Sequence, residues 1–196
     1  IDNLCMNAPY GFNDMDMLTV GMEGKGNVGL GKVCSYEEYR LQFVLWCLCG
    51  VPLMMGCDLR TVNETSKALM LNKELLAINQ DEEARPPYVV QLGDLNVENP
   101  NPKDGEFPWV VQEQTALTMI KHLSGGEFAI GLFNLSKSDA QISCIFADCG
   151  LPYTSGYGFE MTDVFTGEKL GVVRDYYCPV IPGHDCRVFR CKLVKC

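Results

Sequence analysis

The hydrophobic period of this chain changes once, at Asp81-Glu82-Glu83-Ala84-Arg85-Pro86-Pro87, and that change limits the folds available to it. The stretch is polar and ends in two prolines, which continue neither a helix nor a sheet ladder. Before it, apolar residues recur at helical spacing and alternate with short apolar runs; after it, they recur every second residue. The chain therefore reads as two domains, residues 1–87 and 88–196.

In the first domain, Ser35-Tyr36-Glu37-Glu38 forms a capping box, in which the Ser hydroxyl and the Glu38 carboxylate each satisfy a free backbone N–H. The helix it opens runs to about Gly50. Its apolar residues (Tyr39, Phe43, Leu45, Trp46, Leu48, Cys49) cover most of its circumference, as suits a helix packed on several sides. Residues 51–56 read as a short buried strand, and a second helical pattern spans 63–78 with a break near Asn72. If residues 11–17 are also extended, the order is strand, helix, strand, helix, which implies a parallel sheet with functional loops at the strand ends. A glycine-rich loop carrying Gly21, Gly24, Gly26, Gly29 and Gly31 follows the first of these strands.

In the second domain, strand-like runs cover 109–115, 117–123, 128–134, 140–146, 158–163, 168–173, 176–181 and 186–193. Ser124-Gly125-Gly126-Glu127 is the clearest hairpin turn, because glycine accepts the positive φ that such turns need. This spacing predicts an antiparallel β-sandwich.

Composition narrows the partners. Sixteen Lys and Arg against 25 Asp and Glu give a formal net charge of −9, with no basic cluster to neutralise phosphates, so nucleic acid and anionic membrane surfaces are excluded. The longest apolar run, 43–55, is broken by Gly50 and Pro52 and is too short to cross a bilayer. The 11 cysteines include no C-x-x-C pair and no His at ligand spacing, which points away from zinc and towards reduced, buried thiols and a cytoplasmic location. The sequons at Asn63 and Asn134 would matter only in a eukaryotic secretory protein. Ile1 carries neither an initiator Met nor a signal-peptide pattern behind it.

The densest polar cluster in an apolar setting is Gly11-Phe12-Asn13-Asp14-Met15-Asp16-Met17-Leu18. If extended, it places Phe12, Asp14 and Asp16 on one face and Asn13, Met15 and Met17 on the other. Two carboxylates on one face could bind sugar hydroxyls or tune each other's proton affinity. An Asx-rich turn, with Asn and Asp bonding their own backbone, is the open alternative.

This octapeptide resembles the seventh barrel strand of glycoside hydrolase family 27, the melibiase-type α-galactosidases, where the usual reading is Gly-Trp-Asn-Asp-Pro-Asp-Met-Leu. Two further stretches resemble the family in the same order: Phe43-Val44-Leu45-Trp46 through Pro52-Leu53-Met54-Met55-Gly56-Cys57-Asp58-Leu59-Arg60, and Ala68-Leu69 through Ala77-Ile78-Asn79-Gln80-Asp81. Past Tyr88 the likeness is diffuse and rests on Gly131-Leu132-Phe133-Asn134-Leu135 and a β-rich tail.

The resemblance implies the last two βα units of a (β/α)8 TIM barrel followed by an antiparallel β-sandwich. It implies retaining hydrolysis of terminal α-galactosides, with a nucleophilic Asp and an acid/base Asp that both lie upstream of Ile1, and no cofactor. It assigns Asp16 to the substrate hydroxyls and Met17 to an apolar wall of the pocket, while Asn13 and Asp14 support the strand from behind. Phe12 stands where the family has Trp, Met15 where it has Pro, and the loop over residues 21–33 looks longer than in the shortest relatives. Substrate choice is thereby left open. Asp58 and Arg60 read as a loop contact, Trp46 and Trp109 as core, and His122 and His184 as surface groups.

On this reading the 196-residue chain hydrolyses nothing by itself. Its open strand edge and apolar face predict association, including into a homo-oligomer. A second class of function is a non-catalytic carbohydrate-binding or structural β-sandwich module, using exposed Tyr153, Tyr157, Tyr176 or Tyr177.

Overall fold

A computed structural model describes residues 11–25, 34–98 and 110–196. Trp109, Cys5 and the glycine-rich loop beyond residue 25 lie outside the described residues.

Among the described residues, the part before residue 87 contributes three α-helices: α1 (Tyr36–Cys49), α2 (Glu64–Met70) and α3 (Lys73–Asn79). The Ser35 capping box forms as the sequence predicts, with Glu38 N–H donating to Ser35 Oγ at 3.2 Å and Ser35 N–H to Glu38 Oε2 at 2.8 Å. The helical pattern of 63–78 is two helices because Asn72 caps the second, its Oδ1 accepting from Glu74 and Leu75 N–H.

Among the described residues no strand forms over 11–17 or 51–56, and the two segments meet at a parallel bridge, Leu18 to Met55. Leu18 N–H donates to the Met54 carbonyl at 2.8 Å, and Gly56 N–H donates to the Leu18 carbonyl at 3.0 Å. The parallel sense agrees with the βα order. Gly56 is required here, since a Cβ would lie 2.6 Å from the Leu18 oxygen.

Among the described residues, the part from Tyr88 onward forms ten strands: β1 (Tyr88–Glu98), β2 (Val110–His122), β3 (Glu127–Asn134), β4 (Ala140–Gln141), β5 (Cys144–Ile145), β6 (Tyr157–Asp163), β7 (Lys169–Val173), β8 (Tyr176–Tyr177), β9 (Val180–Ile181) and β10 (Asp185–Lys195). Six of them make one antiparallel sheet in the order β1-β2-β3-β10-β6-β7, and the short ones pair as β4-β9 and β5-β8. The hairpin at residues 124–127 forms, with Gly125 and Gly126 at φ 71° and 74°. The runs predicted at 109–115 and 117–123 are one strand, β2, while 140–146 and 176–181 are each split in two.

The central strands are buried on both faces, which explains the unbroken apolar run of β3. Ala129 and Phe133 face α1, with Leu117, Met119, Cys186 and Val188 beside them in one core with Phe43 and Leu48. Ile130 and Leu132 face the short strands, where Ile142, Phe146, Phe159, Ile181 and Phe189 close a second core. Helix α1 approaches so closely that a Cβ on Gly131 would lie 2.3 Å from Leu48 Cδ1. The change of period at 81–87 thus separates two kinds of secondary structure that share one core.

Asn134, one of the two sequon residues, is fully buried, and its Nδ2 donates to the carbonyls of Ser138, Ile181 and Pro182. It is a structural amide that closes the loops around β9, not a glycan acceptor in the folded chain. Asn63, the other, caps α2 through Ser66 N–H at 2.7 Å.

Candidate functional site

The segment 11–18 is built around its side-chain oxygens. Asp16 N–H donates to Asp14 Oδ1 at 2.9 Å, an Asx turn, and Asp16 adopts φ 69°. The extended alternation expected for Phe12, Asp14 and Asp16 is therefore absent, because local Asx bonding replaces the ladder. Met17 N–H donates to Asp16 Oδ1 at 2.6 Å. A non-glycine residue at positive φ persists only where its surroundings hold it, and such residues cluster at functional sites.

Helix α1 supplies that hold. Trp46 Nε1–H donates to the Asp16 carbonyl at 3.1 Å. The Thr19 N–H and hydroxyl both donate to Gln42 Oε1 at 2.9 Å, and Glu23 N–H donates to the Tyr39 hydroxyl at 2.9 Å. Tyr39, Gln42 and Trp46 lie on one face of the helix, so a single rigid element fixes the chain from Asp16 to Glu23. Trp46, predicted as core, packs its ring partly into the core and points its one polar group at this segment.

The result presents Asp16 and Met17 outward. Phe12, Met17 and Met54 are 50%, 48% and 53% exposed, and Met17 Cβ lies against Gly56. Asp14 is exposed and supports the segment through its bond to Asp16 N–H, while Asn13 is half-buried. Asp58 and Arg60 form a two-pronged ion pair with each other, Nη2 to Oδ2 at 2.7 Å, which holds the Asp58 carboxyl below the usual carboxylate range. Both are exposed, and they close their own loop as the sequence reading expects.

His184 is partly exposed, with Nδ1 3.2 Å from Glu38 Oε1, and it ties the loop before β10 to the start of α1. His122 differs from its predicted surface role. Its ring packs edge-on between Tyr88 and Phe128, at 5.9 and 4.7 Å, and burial together with nearby Arg85 lowers its proton affinity. A surface cleft of about 340 Å³ opens elsewhere, over Glu160, Asp163, Lys169 and Arg190. Its Arg190 is already held by Glu74 and Glu127, and among the described residues no aromatic ring lines it.

Among the described residues no group of three or more His, Cys, Asp or Glu is arranged to hold a metal ion, and no helix is long and apolar enough to cross a membrane.

Residues 2–81 match the family profile described as α-galactosidase A, and residues 114–191 match the α-galactosidase C-terminal β-sandwich domain. The chain belongs to the melibiase family of α-galactosidases. The α-galactosidase of Cyamopsis tetragonoloba is 29% identical over 183 residues, a match that covers 93% of this chain and 37% of the relative. α-Galactosidase I from Mortierella vinacea shares its fold with a TM-score of 0.69 at 24% identity, over 92% of this chain and 39% of that one. The Saccharomyces cerevisiae α-galactosidase, solved with raffinose, shares it with a TM-score of 0.74 at 15% identity, over 94% and 47%. The chain thus spans less than half the length of each of these relatives. The fold is the end of a TIM barrel followed by the β-sandwich of the family.

Proposed function

We propose that this chain is the C-terminal part of a retaining α-galactosidase that hydrolyses terminal α-D-galactosyl residues by double displacement. A nucleophilic Asp and an acid/base Asp come from the part of the protein that precedes Ile1, and the reaction needs no cofactor. In this chain the Asp16 carboxylate accepts hydrogen bonds from sugar hydroxyls and Met17 forms an apolar wall beside the sugar. Asn13 and Asp14 hold the segment from behind. The substrate is an α-galactoside oligosaccharide or glycoconjugate, and cysteine spacing supports a cytoplasmic location.

The observation that carries this reading is the conformation of Asp16. Its backbone is pinned at φ 69° by Asp14 from within the segment and by Trp46 from α1, while the residue itself is exposed. Preorganisation of that kind serves a side chain that must meet a ligand at a fixed angle.

The test is hydrolysis of a chromogenic α-galactoside by the longer parent protein, beside its Asp16→Asn variant. The expected loss in kcat/KM is about 100-fold or more, the scale of a polar contact made to the reacting sugar. A well-folded parent without activity, or an Asp16→Asn variant with full activity, overturns the proposal. The 196-residue chain assayed alone is expected to be inactive.

A carbohydrate-binding β-sandwich is the second reading, favoured by Tyr153 and Tyr176 at 59% and 62% exposure. Tyr177 does not join them, because it packs edge-on against Phe189 at 5.3 Å. The core that α1 shares with β2, β3 and β10 also argues against an independent module at 88–196.

A further inference from the structure

Outside the site at Asp16, the second core contains a pair of thiols that the proposed hydrolysis does not use. Cys144 belongs to β5, and the chain then reverses over residues 146–150. In that turn Asp148 N–H donates to the Ile145 carbonyl at 3.1 Å, Cys149 N–H to Phe146 at 3.0 Å and Gly150 N–H to Ala147 at 3.1 Å. Leu151 N–H also donates to the Phe146 carbonyl, at 2.9 Å, so the turn closes on itself. It winds Cys149 back over Cys144 and leaves the two Sγ atoms 3.6 Å apart.

The two thiols differ in access. Cys144 is fully buried beside Phe146 and Cys191, whereas Cys149 is only partly buried. The hydrogen bond shared by the two sulfurs draws the Cys149 proton affinity down, and the same bond with burial pushes that of Cys144 up. The reactive thiolate is therefore the reachable one, with a second thiol behind it. The buried Cys47 and Cys186 are pushed the opposite way by desolvation.

We propose that Cys144 and Cys149 form a dithiol site whose reactant is a peroxide and whose product is an intramolecular disulfide. The Cys149 thiolate attacks one oxygen of hydrogen peroxide, the O–O bond breaks, and Cys149 becomes a sulfenic acid while hydroxide leaves and takes a proton to become water. The Cys144 sulfur then attacks the Cys149 sulfur. The S–S bond forms, the S–O bond breaks, and the departing hydroxide takes the Cys144 proton as a second water. Two thiols are oxidised and one peroxide is reduced. Closing from 3.6 Å to a disulfide of about 2.05 Å requires movement only within the turn. The bond staples β5 to the start of the loop that carries Tyr153. This assignment does not rest on the glycosidase reading.

The experiment treats the folded chain with a small excess of hydrogen peroxide, alkylates it under denaturing conditions and maps every cysteine by mass spectrometry. The expected result is a peptide linking Cys144 to Cys149, short of two hydrogens, resistant to alkylation and restored by dithiothreitol. Exposed Cys196 serves as the unpaired control. In Cys144→Ser the oxidation is expected to stop at a Cys149 sulfenic acid, trapped by dimedone. In Cys149→Ser, a change at the more exposed position that tests the pair even if Cys144→Ser does not fold, Cys144 is expected to stay fully alkylatable. Wild-type protein in which both thiols remain alkylatable, in which Cys149 advances to sulfinic acid beside a free Cys144, or in which the disulfide joins Cys191 overturns the proposal.

Discussion

Arg40 of α1 and Asp185 at the start of β10, 145 positions apart in the chain, form a two-pronged ion pair, with Nε to Oδ1 at 2.9 Å and Nη2 to Oδ2 as the second bond. The guanidinium also lies over the rings of Tyr36 and Phe165, at 5.6 and 5.2 Å. One residue thus joins the barrel helix to the sheet by charge, planar hydrogen bonding and ring contact.

Replacing Arg40 by Met leaves the Asp185 carboxylate, 5% exposed, without its counter-charge. Removing one partner of a buried pair costs about 3 kcal/mol. The urea midpoint of Arg40→Met is expected to fall accordingly, and the double variant Arg40→Met, Asp185→Leu to recover most of the loss. Equal loss in the single and double variants would show that the rings, not the charge, carry the contact.

Lys121 of β2 faces α1 with its Nζ fully buried and, among the described residues, without a hydrogen-bond partner. Desolvation holds its proton affinity below that of an ordinary lysine, against the opposing pull of Asp81. In the window between that lowered value and the ordinary one near ~10.4, the unfolded chain holds a proton that the native chain lacks, so stability rises with pH there. Lys121→Met is expected to raise stability at neutral pH by about 1–3 kcal/mol, the cost of an unpaired buried polar group. It is also expected to flatten the alkaline rise, both read from denaturation curves recorded across pH.

Asp163 at the end of β6 behaves in the opposite sense. Burial alone would raise its carboxyl, but the Arg187 guanidinium at 2.8 Å and the N–H groups of Phe165 and Thr166 outweigh burial and hold it below the usual range. A carboxyl lowered in the folded state contributes stability at pH values above its unfolded value of ~3.9 and loses it as pH falls through the folded value. Acid unfolding followed by circular dichroism is expected to be shallower in Asp163→Asn, which starts from a lower stability at pH 7.

The Trp46 indole fixes the Asp16 carbonyl and touches no substrate atom in the proposed site. Trp46→Phe keeps most of the ring packing and removes the donor, a change of about 1 kcal/mol. In the parent protein this is expected to lower kcat/KM for an α-galactoside about fivefold with little change in melting temperature. A fall in melting temperature with unchanged kinetics would make Trp46 a packing residue only.

The capping box at Ser35, the cap at Asn72 and the turn at Gly125-Gly126 were legible in the sequence because each depends on side chains and backbone within a few residues. The alternation of the central strands was legible for the same reason, since which face a residue takes follows from its parity. Strand β1 was not legible, because Gly93, Asp94 and Asn96 are poor strand formers and its pairing with β2 shifts register at Val89/Gln91 and Gly93/Asp94. The cluster at Asn13, Asp14 and Asp16 announced a site but not its shape: the Asx bond and the ladder compete locally, and α1 decides between them by reaching Asp16, Thr19 and Glu23 with Trp46, Gln42 and Tyr39. The sequence by itself determined the two periods, the caps, the turn and the motif that carries family membership, all of them short-range. Only the tertiary structure decided the positive φ at Asp16, the Arg40–Asp185 bridge, the buried amine of Lys121 and the meeting of Cys144 with Cys149, because each depends on where folding places a partner that local sequence rules do not specify.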